Sequence, residues 1–250
     1  MTETTSRDSA RGTHQQNLKR ALDIAFSLGV LTGAGPVLLL FMYLIWRHDG
    51  HNPLYMAPRV GLRGEPFKMI KLRSMSPDAD KTGVSSTSAD DNRITPVGHI
   101  VRKYKLDEFS QFWNVLKGEM SVVGPRPQVP DCVADYNPEE MGLLDAKPGI
   151  TDFSSIVFAD EGDILEGSDD PDGDYDRLIR PWKSKLGLFY IENQSIYLDL
   201  SLIALTAFSM LSRKNALLVL SRLLKRLGAE KQLEKISKRE KGLERFSQLP

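Results

Sequence analysis

Two adjacent carboxylates, Asp107 and Glu108, stand at the head of an amphipathic segment, and further along Arg126 sits inside the turn Gly124-Pro125-Arg126-Pro127. Neighbouring helical side chains project about 100° apart, so the two carboxylates cannot share one ligand symmetrically. They can flank one site in different roles. At a helix start both also feel the positive end of its dipole, which favours the ionised form and by itself accounts for many first-turn acids. The prolines around Arg126 fix the backbone and give the guanidinium, a bidentate phosphate binder, a defined direction. A carboxylate that attacks phosphorus, one that holds Mg²⁺ and an arginine that clamps phosphate are the parts phosphoryl transfer needs.

The elements that must position these residues are legible in outline. "HIVRKYKLDEFSQFWNVLKGEMS" places Phe109, Phe112, Trp113 and Leu116 at helical spacing, which predicts one helix ending near Gly118. Upstream, "NPLYMAPRVGLRGEPFKMIKLRSM" has two β-type runs around Gly61–Gly64 and reads as a hairpin, with neither face of its second run clean. Ser74–Asn92 is rich in Ser, Thr, Asp and Gly and reads as a loop. Further helix is expected over 176–211, interrupted near Pro181 and at Asn193–Ser195.

An uncharged run of 23 residues, Ile24–Trp46, is long enough to span a bilayer. Gly33, Gly35 and Pro36 sit at its midpoint, and each half is about half a bilayer long. Lys19 and Arg20 precede it and Arg47 follows, so both flanks carry the charge of a cytoplasmic face. Two readings stand: a helix that enters, breaks at Pro36 and returns, or a kinked helix that crosses. Asp23, four residues after Lys19, has the spacing of an intrahelical ion pair.

Composition bounds the remaining possibilities. At 41% hydrophobic and 26% charged, the 250 residues can bury a core. The formal net charge of zero conceals ten acidic residues and no basic ones from Asp152 to Asp176, then eleven basic against four acidic ones from Arg213 to Arg245. The basic stretch carries an apolar stripe and suits either an anionic membrane surface or a solvated coiled-coil-like tail. In the acidic stretch, an EF-hand register from Asp170 would put Tyr175 where glycine belongs and Pro181 where glutamate belongs, so no calcium loop is expected. Cys132 is the lone cysteine, and His14, His48, His51 and His99 lack zinc-hydrolase spacing.

"LDEFSQFWNVLKGEMSVVGPRP" closely resembles the core of the monotopic phosphoglycosyl transferases among the bacterial sugar transferases. Further matches follow in order: "KRALD", "RVGLRGEPFKMIKLRSM", "DNRITPVGHIVRKYKLDE", "KPGIT" and "YIENQSIYLDLSLIALT". Together they cover roughly residues 17 to 210. The resemblance implies transfer of a phosphosugar from a UDP-sugar to a polyprenyl (undecaprenyl) phosphate with release of UMP, as the first step of surface glycan assembly. It makes Asp107 the nucleophile of a covalent phosphosugar intermediate, Glu108 the Mg²⁺ ligand and Arg126 a phosphate binder. Lys71 and Asp199 match further substrate-binding positions, and Pro36 marks the break of a re-entrant helix.

This chain also departs from the family pattern. Gly35-Pro36 replaces Ser-Pro, and "LDEFSQ" replaces "LDELPQ". After "KPGIT" the sequence diverges through the acidic stretch, which is expected to help recognise the nucleotide sugar. The expected protein is of the small form, without a multi-span N-terminal domain.

The expected architecture is α+β and predominantly helical, a monotopic membrane protein. It comprises a disordered leader (1–17), a re-entrant membrane helix (18–48), a catalytic domain on the cytoplasmic face of the bacterial inner membrane (49–212) and a basic amphipathic C-terminal helix (213–250). Its partners are the UDP-sugar, the polyprenyl phosphate and membrane lipids, with no nucleic acid; oligomeric state and sugar identity are not legible. Competing readings are a non-catalytic membrane scaffold derived from such an enzyme, and a membrane phosphohydrolase using Asp107 with water.

Overall fold

Two β-forming runs joined through a glycine-containing return fold as that pattern dictates. In the computed structural model, which describes residues 2–79, 87, 91–239 and 243 and the side chains from His14 onward, β1 (Leu54–Val60) pairs antiparallel with β2 (Pro66–Leu72). At the tip, Arg63 (φ 56°) and Gly64 (φ 82°) take left-handed backbone that a tight return requires. Ala57, Met69 and Leu72 are the buried members of the hairpin. Most of the expected 74–92 loop lies outside the described residues.

Helix α1 (Thr2–Asp49) precedes the hairpin. Residues read as a disordered leader are helical from Thr2. No proline occurs before Pro36, so nothing stops the helix propagating back from the apolar segment. Nor is the secondary structure interrupted at Pro36, which stands inside the helix. Proline removes one backbone donor, and the flanking turns carry the helix past it. The portion His14–Asp49 is long and apolar enough to cross a bilayer. It leaves Phe26, Leu28, Leu39, Leu40, Tyr43 and Trp46 exposed, while Leu38 and Ile45 pack on Leu72 and Val101.

The rest is helical around a small parallel pair, β3 (Ser121–Val123) with β4 (Gly149–Thr151). Between the hairpin and β3 come α2 (Pro96–Lys103), α3 (Leu106–Phe109) and α4 (Phe112–Lys117). After β3 come α5 (Pro130–Ala134), α6 (Phe153–Val157), α7 (Glu161–Ile164), α8 (Pro171–Asp174) and α9 (Arg180–Glu192). A π turn over Tyr175–Ile179 joins α8 to α9, so the expected interruption at Pro181 is absorbed and the helix continues. The expected interruption at Asn193–Ser195 is present, and the Ser195 hydroxyl accepts from Leu198 N at 3.2 Å to start α10 (Ile196–Leu211).

The basic C-terminal segment is a helical hairpin, α11 (Arg213–Arg226) and α12 (Lys231–Lys238), rather than the single helix expected. Gly228 at φ 81° makes the turn. Its apolar stripe packs on the protein's own body. Leu217, Leu220, Leu224, Leu233 and Ile236 join the core built by Phe153, Leu186, Tyr190 and Leu202. Residues 240–242 and 244–250 lie outside the described residues.

Candidate active site

The helix expected to run unbroken from His99 past Asp107 is divided into three pieces. Lys105 adopts left-handed backbone (φ 52°, ψ 31°), which ends the preceding turn and re-aims the chain. A non-glycine residue there costs about 1–2 kcal/mol. The result is that Asp107 and Glu108 occupy the first turn of α3.

That turn is tied to β2, the strand carrying Lys71. The Ser110 hydroxyl lies 3.1 Å from Ile70 O and 2.9 Å from Asp107 O. One turn on, the buried Asn114 side chain accepts from Ile70 N (2.9 Å) and donates to Lys68 O (2.8 Å) and Glu119 Oε2 (2.7 Å). Backbone bonds from two helix side chains thus fix β2 against α3–α4. They bring the Lys71 ammonium to 3.9 Å from Asp107 Oδ2.

Arg126 arrives from the other direction. Gly124 and Gly149 face each other so closely that a side chain on either would collide with the other strand's backbone. The resulting contact is sealed by Gly124 N donating to Thr151 O (3.0 Å) and Gly149 N to Pro125 O (2.9 Å). From this rigid bend, the Arg126 guanidinium donates to Glu108 Oε1 at 2.9 Å and to Ile150 O at 3.0 Å. Lys71, Asp107, Glu108 and Arg126 therefore form one cluster, each side chain between 16% and 25% exposed.

Their electrostatics differ. Burial pushes the Asp107 carboxyl above the ordinary range, with Lys71 opposing and Glu108 adding to it. Burial acts on Glu108 in the same sense, but Arg126, Lys105 and Lys71 outweigh it and leave Glu108 below its ordinary value. Lys71 is lowered by burial, partly offset by Asp107. Two neighbouring acids thus differ in proton affinity because one has the guanidinium and the other has a more distant ammonium. No group of three or more His, Cys, Asp or Glu is gathered among the described residues. Mg²⁺ takes one or two protein carboxylates and completes its shell with phosphate and water, a demand that Glu108 alone would meet with Asp107 left free.

Asp199 has other partners. Its Oδ2 lies 2.6 Å from the Lys19 ammonium of α1, and its Oδ1 accepts from the Tyr190 hydroxyl at 2.6 Å. Lys19 also donates to Val123 O at 3.0 Å. Burial raises the Asp199 carboxyl while Lys19 and Tyr190 oppose it; Tyr190 is held protonated by burial and by Asp199. Nearby, Arg20 donates to the last carbonyls of α4, those of Val115 and Leu116. Asp23 does not pair with Lys19. It accepts from the Ser121 hydroxyl (2.8 Å) and Val122 N (2.9 Å). At the far end of α1, Asp49 accepts two bonds from Arg73, at 2.6 and 2.7 Å. Sequence reasoning reads Lys19 and Arg20 as flanking charge and misses Ser110, Asn114 and Tyr190. Only the position of Lys19 and Arg20 inside "KRALD" hints at a specific role.

Residues 14–213 match the family model for bacterial sugar transferases, and the chain belongs to that family. A Bacillus subtilis protein named for undecaprenyl-phosphate N-acetylgalactosaminyl 1-phosphate transfer is 43% identical over 126 residues, half of this chain and 70% of that protein. The galactosyl transferase CpsE of Streptococcus agalactiae is 35% identical over 199 residues, 75% of this chain and 41% of CpsE. The UDP-glucose:undecaprenyl-phosphate glucose-1-phosphate transferase of Klebsiella pneumoniae is 35% identical over 202 residues, covering 79% of this chain and 41% of that enzyme. The chain thus spans well under half the length of the two longer relatives.

Proposed function

We propose that this chain transfers a phosphosugar from a UDP-sugar to polyprenyl phosphate in two displacements, releasing UMP in the first. The observation that carries this reading is the convergence of Asp107 and Glu108 with two cations, Lys71 and Arg126, fixed from two separate elements. Relatives named for undecaprenyl-phosphate sugar transfer support the donor and acceptor classes.

In the first displacement, a carboxylate oxygen of Asp107 forms a bond to the phosphorus that bears the sugar. The bond from that phosphorus to the bridging oxygen breaks, and UMP departs with the electron pair. In the second, an oxygen of the lipid phosphate attacks the same phosphorus, and Asp107 leaves as carboxylate. Lys71 and Arg126 face the charge on the transferred phosphoryl group, where fixed cations in a partly dry site act most strongly. Glu108 would hold Mg²⁺, which supplies neutralisation of the diphosphate. Dividing the transfer lets donor and lipid occupy the site in turn.

Re-entry of α1 is part of the same proposal. Asp23 and Asp49, about 39 Å apart along an unbent helix, are both bonded to one body. A crossing helix would leave its two ends on opposite sides of a core about 30 Å thick. Exposed Tyr197, Leu200, Met210 and Leu211 on α10 add apolar surface suited to the lipid side. We assign the body to the cytoplasmic face, where nucleotide sugars are available and where Lys19, Arg20 and Arg47 favour retention.

The test is UMP release by detergent-purified protein with Mg²⁺, undecaprenyl phosphate and a panel of UDP-sugars. Multiple-turnover UMP with one donor, dependent on lipid, is the expected result. Sustained UMP without lipid would identify a hydrolase, and none with any donor would contradict the transferase in favour of a scaffold.

A further inference from the structure

One turn beyond the Asp107–Glu108 pair stands a polar side chain that packing does not explain. Gln111 is fully buried, at 0% exposed. Neither its amide nitrogen Nε2 nor its oxygen Oε1 has a hydrogen-bond partner among the described residues. A buried amide unpaired at both ends is uncommon in folded chains. It is also costly, and a methionine of similar length would fill the same space without that cost.

Backbone geometry fixes which carboxylate it stands beside. Ser110 (φ −68°, ψ −20°) and Gln111 (φ −68°, ψ −19°) carry the chain from α3 into α4 in a tight helical turn. Gln111 N donates to Glu108 O at 3.1 Å, a bond across three residues. Side chains three apart in such a turn eclipse one another. Helical Cα–Cβ bonds also tilt towards the N-terminus, so the Gln111 side chain leans back over Glu108. Glu108 keeps 23% of its side chain exposed, and the amide stands on its buried side.

Glu108 spends one oxygen on Arg126, with Oε1 accepting at 2.9 Å. Among the described residues its Oε2 accepts no hydrogen bond. When Arg126 turns its guanidinium to the transferred phosphoryl group, Glu108 loses the partner it has in this structure. A largely buried carboxylate left alone is far less favourable than a paired one. Another donor must take over. The Gln111 amide, one turn away, has two unused N–H groups.

We propose that Gln111 is a positioning residue for Glu108. Its amide takes the second carboxylate oxygen when Arg126 engages the donor phosphate, and so keeps Glu108 oriented to hold Mg²⁺. This rests on the phosphosugar-transfer reading above. The unpaired amide is then a partner held in reserve, used only in the loaded site.

The experiment replaces the amide by an apolar side chain in the full chain and reads folding and Mg²⁺ dependence separately. Gln111→Met should unfold in detergent at the wild-type temperature or above it, because it removes two unpaired groups and leaves Glu108 on Arg126. With the donor that supports turnover, its half-maximal Mg²⁺ concentration should rise about 10- to 100-fold, the range for losing an orienting partner of a metal ligand. The donor KM at saturating Mg²⁺ should not move. Binding without turnover should show the same change. UMP with Mg²⁺ should raise the unfolding temperature of both proteins, and the variant should need correspondingly more Mg²⁺. An unaltered Mg²⁺ dependence in folded Gln111→Met would overturn the proposal. So would a marked fall in its unfolding temperature, since that would mean the amide is already paired in the resting core. A raised donor KM with Mg²⁺ dependence unmoved would place Gln111 at the donor and overturn it as well. Absence of wild-type turnover would remove the transferase reading, and this inference with it.

Discussion

The Lys19 ammonium on α1 and the Asp199 carboxylate on α10 form a largely buried ion pair at 2.6 Å, with Tyr190 donating to the same carboxylate. The pair joins α1 to the core beneath β3, where Lys19 also bonds Val123 O. It gives Asp199 a part in holding α1, and it separates that part from substrate binding experimentally. Removing one partner of a buried pair typically costs about 3–5 kcal/mol. Lys19→Met and Asp199→Asn should each lower the unfolding temperature in detergent, and the combined Lys19→Met/Asp199→Leu variant should recover part of the loss. An unchanged unfolding temperature with a raised substrate KM in Asp199→Asn would place Asp199 at the substrate instead.

The position of Lys71 yields a pH prediction. Burial raises Asp107, and Lys71 opposes that rise. On the proposed mechanism Asp107 must be ionised to attack, so the acid limb of the first displacement should lie above the ordinary carboxylate range. Lys71→Met withdraws the opposing charge, so its acid limb should move to higher pH, whatever happens to the maximal rate. Single-turnover UMP release against pH reads this directly; a limb that stays fixed or moves downward would reject the coupling.

Glu108 should be separable from Asp107 by metal dependence. Glu108→Gln keeps the shape but removes the charge that pairs with Arg126 at 2.9 Å and that would hold Mg²⁺. The Mg²⁺ concentration for half-maximal rate should rise about tenfold or more, by analogy with the loss of an orienting metal contact. A slower enzyme with an unaltered Mg²⁺ profile would reject the ligand role.

Asn114 tests whether β2 is positioned by α4. Its amide satisfies three groups, two of them on the backbone of β2. Asn114→Ala leaves those buried groups unpaired at about 1–3 kcal/mol each. It should therefore lower both the unfolding temperature and the rate. A fully active and stable variant would mean that Lys71 is placed by other contacts.

How much of this is legible in the sequence varies with the physics involved. The hairpin is readable because β-type runs flank a glycine-containing return, and the Ser195 start of α10 because capping is local. The convergence of Asp107, Glu108 and Arg126 follows from residue type and motif. The division of the helix at Lys105 is not readable, since helical periodicity continues across it and a lysine carries no sequence signal for left-handed backbone. The destination of the basic hairpin is hidden because an apolar stripe suits a protein core as well as a membrane. Ser110 looks inert in place of the family's proline, yet its hydroxyl reaches Ile70 O beside Lys71. The Lys19–Asp199 pair is invisible because 180 residues separate its members in sequence.

The most direct test of the account is the covalent intermediate itself. Detergent-purified protein should be incubated with the active donor and Mg²⁺ without lipid acceptor, then measured by intact mass and peptide mapping. The account predicts one phosphosugar added per chain, located on the 106–117 peptide, released on adding polyprenyl phosphate and absent from Asp107→Asn. An active protein that never carries the adduct, or an Asp107→Asn variant that still turns over, would contradict it.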